Sequence, residues 1–271
     1  MSASTASLLD TIVAATRRTV AVRAAAIPMV DVERTIERPA NGAAFEEALR
    51  ACEPPRVIAE CKRRSPSRGI LRLDYDPASH AVSYAGAGAA AISVLTESAF
   101  FDGSLQHLRA VRRAVALPLL RKDFIVSEYQ LAEAAAAGAD AVLLIVGALG
   151  QDDLRSLISR ARHFGLAALV EVHEAVEIPR AIDAGARIVG VNSRDLRTLA
   201  VDAGAFDAAA RVLPPDVVAV AESGIRERAD IDRLTALGYH AFLVGERLIA
   251  QPDPGAALRD LRRAAPAGAG A

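Results

Sequence analysis

Cysteine is scarce in this sequence: Cys52 and Cys61 are the only two, and they lie too close together to staple a fold. No Cys/His cluster has the spacing of zinc ligands, so a structural metal knuckle is excluded and a reducing cytoplasm is the expected setting. Excess charge of either sign is also lacking, since 32 basic side chains face 33 acidic ones for a net charge of −1. That balance argues against nucleic acid or an anionic membrane as partner, and any anion site must be local. Long apolar runs are absent too. The stretch from Ala139 to Leu149 falls well short of the roughly 20 residues that cross a bilayer. A chain that is 52% hydrophobic and 24% charged is not intrinsically disordered either.

What is present is alternation. The 271 residues suit one large domain, and an α/β barrel of roughly 250 residues falls in that range. The Ser/Thr-rich start followed by Arg17-Arg18 has some of the composition of a transit peptide. The spacing of Leu8, Leu9, Ile12, Val13 and Val20 instead predicts an amphipathic helix from Ser7 to about Arg23. After Pro54-Pro55, short aliphatic runs alternate with helical patterns of a dozen or so residues. The strands read Arg56–Lys62, Ala91–Thr96, Pro118–Phe124, Ala141–Val146, Ala167–Val172, Ile188–Asn192, Val217–Glu222 and Ala241–Gly245. Eight strands with eight crossovers close a barrel. Glycines at 88, 138, 185 and 238 stand just before strands and recur about every two βα units, where a left-handed residue would end a helix. A doubly wound sheet is the competing architecture, but no strand is followed by G-x-G-x-x-G. The expected division is a helical extension over 1–50, a (β/α)8 TIM barrel over 51–263 and a flexible tail over 264–271.

In such a barrel the chemistry projects from the C-terminal strand ends. Period-2 alternation puts Ile58, Glu60 and Lys62 of the first strand on one face, with Val57, Ala59 and Cys61 on the other. By the same rule Leu120 and Lys122, then Leu169, Glu171 and His173, face the interior, and Asn192 and Glu222-Ser223-Gly224 close later strands. Charges in a low-dielectric interior need partners, so Glu60, Lys62, Lys122 and Glu171 form either a structural ion-pair ring or a reactive centre. Ser65-Pro-Ser67-Arg68-Gly69, Ser223-Gly224 and Gly245 offer loops whose backbone N–H groups can approach a phosphate.

The runs Ile58-Ala-Glu-Cys-Lys-Arg-Arg-Ser-Pro-Ser67, Leu120-Arg-Lys-Asp-Phe-Ile125, Leu169-Val-Glu-Val172, Val191-Asn-Ser-Arg-Asp-Leu196 and Ala221-Glu-Ser-Gly224 closely resemble the indole-3-glycerol-phosphate synthases, from about Ser7 to about Leu261. The resemblance implies a carboxyphenylamino-deoxyribulose 5-phosphate substrate, ring closure with loss of carbon dioxide and water, and no metal or organic cofactor. It makes Lys122 the general acid and Glu171 the base for dehydration. Lys62 would hold the substrate carboxylate or serve as a second acid, while Glu60, Asn192 and Ser223 orient groups around it. Ser65, Gly224 and Gly245 would hold the phosphate. Phe101, Phe124, Arg194, Leu196 and Glu222 complete the binding set. Lys122 and Glu171 are expected to reach different atoms of the substrate instead of neutralising each other, and Glu246 is expected to turn outward, away from the phosphate. The partner is then a small phosphorylated molecule, and the chain a monomer or weak homo-oligomer. Phosphoribosylanthranilate isomerase chemistry on the same barrel would need a cysteine or aspartate base at the first strand end, where Cys61 faces outward. A silent ligand-binding barrel would have no use for both lysines and Glu171.

Overall fold

A computed structural model describes residues 7–195, 198–202 and 204–263. The chain begins with three helices, α1 (Leu8–Ala26), α2 (Met29–Arg34) and α3 (Gly42–Ala51). Helix α1 starts where the sequence predicts. The Ser7 hydroxyl accepts the Asp10 N–H at 3.1 Å, and the Asp10 carboxylate accepts the Ser7 N–H at 3.0 Å, a reciprocal cap. It runs past Arg23 through three alanines, all strong helix formers, and stops ahead of Pro28.

Eight parallel strands follow: β1 (Arg56–Cys61), β2 (Ala91–Leu95), β3 (Leu119–Lys122), β4 (Ala141–Ile145), β5 (Ala167–Val172), β6 (Ile188–Asn192), β7 (Val218–Glu222) and β8 (Ala241–Val244). Each pairs with its neighbours in sequence, and β1 pairs with β8 to close the barrel. Several strands are one to three residues shorter than their aliphatic runs, because pairing ends before the run does. Phe124 is the clearest case, lying beyond β3 in a loop. Gly88, Gly138, Gly185 and Gly238 have φ of 85°, 86°, 90° and 94°, the left-handed values that end a helix before each strand.

Alternation sorts the barrel into two apolar regions. Ile58, Leu120, Leu143, Leu169, Ile188, Val220 and Leu243 pack inside it. Val57, Ala59, Cys61, Val94, Leu119, Val142, Val170 and Phe242 pack outward beneath the helices. A one-residue slip would carry Glu60, Lys122 and Glu171 under the helices, so burial of the aliphatic set at about 1.5–3 kcal/mol per side chain also holds the charged groups at the mouth. Helix α3 plugs the far end. Phe45 and Leu49 are fully buried against the interior cluster, and the Gly42 N–H donates to the Gly165 carbonyl at 2.8 Å. A β-carbon on Gly42 would collide with the backbone of Leu166 and Ala167.

Helix α1 runs along the side of the barrel, packing Val20 near Tyr129 and Ala132. Arg23 there holds Glu133 through two hydrogen bonds of 2.7 and 3.0 Å. Glu133 also faces Arg121, which is 1% exposed on the outward face of β3. Arg121 donates to Thr96 Oγ1 at 3.1 Å, Asp123 Oδ2 at 2.9 Å and the Gln130 carbonyl at 2.7 Å. Among the described residues no helix is long and apolar enough to cross a membrane. The expected tail over 264–271 lies outside the described residues.

Candidate active site

The strand C-termini open on a cavity of about 440 Å3, a size typical of small-molecule sites. Glu60, Lys62, Ser65, Phe101, Lys122, Phe124, Glu171, Asn192, Arg194, Glu222, Ser223, Gly224 and Gly245 all line it. Leu196 lies outside the described residues. Strand alternation accounts for Glu60, Lys62, Lys122 and Glu171 facing one cavity. It does not foresee how they pair.

The charges form two sets. On β1, Lys62 Nζ lies 2.6 Å from Glu60 Oε1. Deeper in the mouth, Lys122 Nζ lies 2.7 Å from Glu171 Oε2 and 3.1 Å from Glu222 Oε2. The expected separation of Lys122 and Glu171 is thus corrected. Their strands are separated only by β4, and two side chains pointing inward from β3 and β5 span that interval. Glu222 from β7 reaches the same lysine from across the barrel.

Two glycines make room for this crowding. A β-carbon at Gly190 would meet the Glu222 carboxylate, and one at Gly245 would meet that of Glu60. Strand β6 can therefore carry no side chain at that inward position without displacing a carboxylate.

Burial works against the charged form of Lys122, but Glu171, Glu222 and Glu60 outweigh it, so its pKa lies above the usual lysine value. Burial likewise opposes ionisation of Glu171, yet Lys122 and then His173 prevail and draw its pKa down to about 2. Glu222 goes the other way. Burial, reinforced by the neighbouring Glu171 charge, exceeds the pull of Lys122 and raises its pKa to about 8. Near neutral pH the trio therefore holds an ammonium, a carboxylate and a carboxylic acid. His173 Nε2 lies 3.5 Å from Glu171 Oε1, beside the carboxylate instead of in the cavity lining.

Aromatic rings flank the charges. Phe101 and Phe124 have centroids 6.2 Å apart and planes tilted by 39°. The residue that sets Phe101 in place carries no motif in the sequence. Glu97 accepts the N–H groups of Ala99, Phe100 and Phe101 at 2.9, 2.7 and 3.1 Å and so folds the loop after β2. At the outer rim, Ser223 and Gly224 have φ of 65° and 73°, a left-handed pair that turns the chain sharply after β7. Asn192 Oδ1 accepts the Arg194 N–H at 3.0 Å and shapes the loop after β6.

Other lining residues also escape the sequence argument. Leu8 and Ile12 of α1 reach the cavity, as do Leu143 and Ile145 of β4, Arg226 and Arg247, while Arg68, from the loop already read as phosphate-binding, lines it too. The inward phase of β4 is a signal that could have found Leu143 and Ile145, whereas the stripe of α1 marks Leu8 and Ile12 as apolar without showing what they cover. Glu246 is a second correction. It lines the cavity and does not turn outward, because Arg68 Nε at 3.0 Å and Arg194 Nη2 at 3.9 Å hold its carboxylate at the rim.

Among the described residues no group of three or more His, Cys, Asp or Glu side chains is placed to hold a metal ion. The site offers acids, bases and a strongly held ammonium inside a closed parallel barrel. The sequence profile of the family described as indole-3-glycerol phosphate synthase matches residues 9–261. The chain belongs to this family. It is 51% identical over 265 residues to the indole-3-glycerol phosphate synthase of a Nocardioides species, covering 93% of this chain and 97% of that one. To the synthase of Mycolicibacterium vanbaalenii it is 50% identical over 256 residues, with 94% of each chain covered. Among solved structures, KGPDC from Streptococcus mutans has a TM-score of 0.60 at 12% identity, covering 77% of this chain and 96% of that one. The N-acetylmannosamine-6-phosphate 2-epimerase of Clostridium perfringens has a TM-score of 0.56 at 14% identity, covering 71% and 86%. At such identities these two share the fold alone, whereas the synthases match along nearly the whole chain. Membership in this family makes the protein a carboxy-lyase of tryptophan biosynthesis.

Proposed function

We propose that the chain converts 1-(2-carboxyphenylamino)-1-deoxyribulose 5-phosphate to indole-3-glycerol phosphate, carbon dioxide and water, with Lys122 as general acid and Glu171 as general base. The observation that carries the assignment is Lys122 held between Glu171 and Glu222 at the bottom of the cavity. Ring closure builds negative charge on the ketone oxygen as the arene carbon attacks it, and a lysine kept protonated can donate there. Loss of carbon dioxide then restores the arene. Dehydration removes the new hydroxyl as water and needs a base to take a ring proton. Glu171, kept ionised by Lys122 and His173, is the proposed base.

The remaining roles follow from position. Lys62, paired with Glu60, faces the substrate carboxylate or gives a second proton. Phe101 and Phe124 cover the aromatic ring, an apolar surface matched to an apolar face. Asn192, Ser223 and Glu222 meet the ribulose hydroxyls. Ser65, Gly224 and Gly245 take the phosphate at the rim, with Arg194 beside them, and Leu196, outside the described residues, is assigned to the binding set by the family motif alone. Acid, base and orientation all come from side chains, so we propose a reaction without metal or organic cofactor. Residues 1–50 and 51–263 serve as helical extension and barrel of one chain, acting as a monomer or weak homo-oligomer in the cytoplasm.

The test is an assay of purified protein with no added metal, following the rise of indole fluorescence from the carboxyphenylamino substrate. Undiminished turnover in Lys122→Ala would sink the acid assignment. Turnover unchanged by EDTA is the expected result for the cofactor proposal, and sedimentation at micromolar concentration checks the oligomeric state.

A further inference from the structure

Glu246 follows Gly245 directly at the end of β8 and lies on the rim where the phosphate is proposed to bind. Its Oε1 is 3.0 Å from Nε of Arg68, in the loop after β1, and its Oε2 is 3.9 Å from Nη2 of Arg194, after β6. One carboxylate therefore gathers two guanidinium groups from two separate loops. Arg68 is 67% exposed, and its guanidinium has no other partner among the described residues. Arg194 is more enclosed and also donates to the Leu199 carbonyl at 3.2 Å.

A guanidinium binds carboxylate and phosphate oxygens with the same planar fork, so these arginines can exchange one anion for the other. The Glu246 carboxylate and a phosphate dianion cannot share the rim comfortably, because like charges at such range repel. We propose, resting on the reading of this rim as the phosphate end, that Glu246 is a specificity-determining residue that stands in for the substrate phosphate in the free protein. It keeps Arg68 and Arg194 gathered at the rim and yields them when the phosphate arrives. Its carboxylate, already partly exposed, then turns to solvent. Only an anion that outcompetes a single carboxylate displaces it. A doubly charged phosphate does so, whereas a ligand with a carboxylate terminus in that place gains little.

Inorganic phosphate is the probe, used as a competitive inhibitor of the indole-forming reaction. With Glu246→Gln, its Ki and the substrate KM should both fall by about threefold to fivefold, the scale of one exposed charge pair. Arg68→Gln should raise the Ki, and in the double variant Glu246→Gln should lose most of its effect. Tighter binding is the decisive readout, since a residue that merely supported the loop would loosen binding on removal. If phosphate inhibits the wild type but the Ki is equal or higher in Glu246→Gln, the role of Glu246 is overturned while the phosphate end stands. If phosphate does not compete in the wild type, the phosphate end itself falls and this proposal with it. Should Glu246→Gln not fold, Glu246→Ser makes the same comparison with a shorter neutral side chain.

Discussion

Arg121 and Lys122 are adjacent on β3, and each is a cation facing two carboxylates, Arg121 fully buried and Lys122 partly so. Arg121 points outward to Asp123 and Glu133. Lys122 points inward to Glu171 and Glu222. The guanidinium spends its donors on fixed partners, including Thr96 and a backbone carbonyl, in a compartment sealed by the helix Glu128–Ala136. The ammonium sits where side chains stop and a cavity begins. The same electrostatic pairing thus locks a strand on one face and arms it on the other. What separates the two is access, together with a compact ammonium that can part with a proton where a guanidinium cannot.

Exchanging or removing these groups sharpens the contrast. The largest effect is expected from Lys122→Ala, which should lower kcat by about 10²–10⁴-fold in the fluorescence assay while the protein still folds, because Glu171 and Glu222 then face a cavity water can enter. Arg121→Met should do the reverse. It leaves Asp123 without a cation in a sealed compartment, with Glu133 keeping only Arg23, and should cost about 3–5 kcal/mol in urea unfolding. If Arg121→Met lost no more stability than Lys122→Ala, the distinction between lock and reactive group would fail.

The next effect concerns pH. Glu222, with its pKa raised to about 8, gains its charge as pH rises through that value and then repels an anionic substrate. kcat/KM should therefore fall on the alkaline side near pH 8, and Glu222→Gln should flatten that limb. The same raised pKa means that the folded state holds a proton the unfolded chain has released between about pH 4.5 and 8, so this group's contribution to stability declines across that window. Glu171 has the opposite sign. Its lowered pKa adds stability above about pH 4.5 that is lost as pH falls toward 2, a loss Glu171→Gln should remove from acid unfolding curves. The smallest effect belongs to Arg23→Gln. This pair is partly exposed at the arginine end, and its removal should cost about 1 kcal/mol or less, measured by thermal unfolding.

Much of this could be read from alternation. The inward phase of β1, β3 and β5 places Glu60, Lys122 and Glu171 correctly because a strand's side-chain period is two and does not depend on its neighbours. Glycines before strands mark the helix ends for a similar local reason. Pairing across the barrel is a different kind of fact. The contact of Lys122 with Glu171 depends on the width of one intervening strand, and the hold on Glu246 depends on two loops far away in sequence. Arg121 resisted for the same cause, since Glu133 comes from the next helix and Arg23 from the N-terminal extension. Leu8 and Ile12 illustrate the limit well: their helical stripe is legible, but not the surface it covers.

Helix α3 closes the far end of the barrel with Phe45 and Leu49, which makes the vessel single-ended. The ketose phosphate must enter, and carbon dioxide, water and the indole product must leave, through one doorway ringed by the loops after β1, β6, β7 and β8. Substrate and products therefore share one opening, and each must clear it before the next can pass.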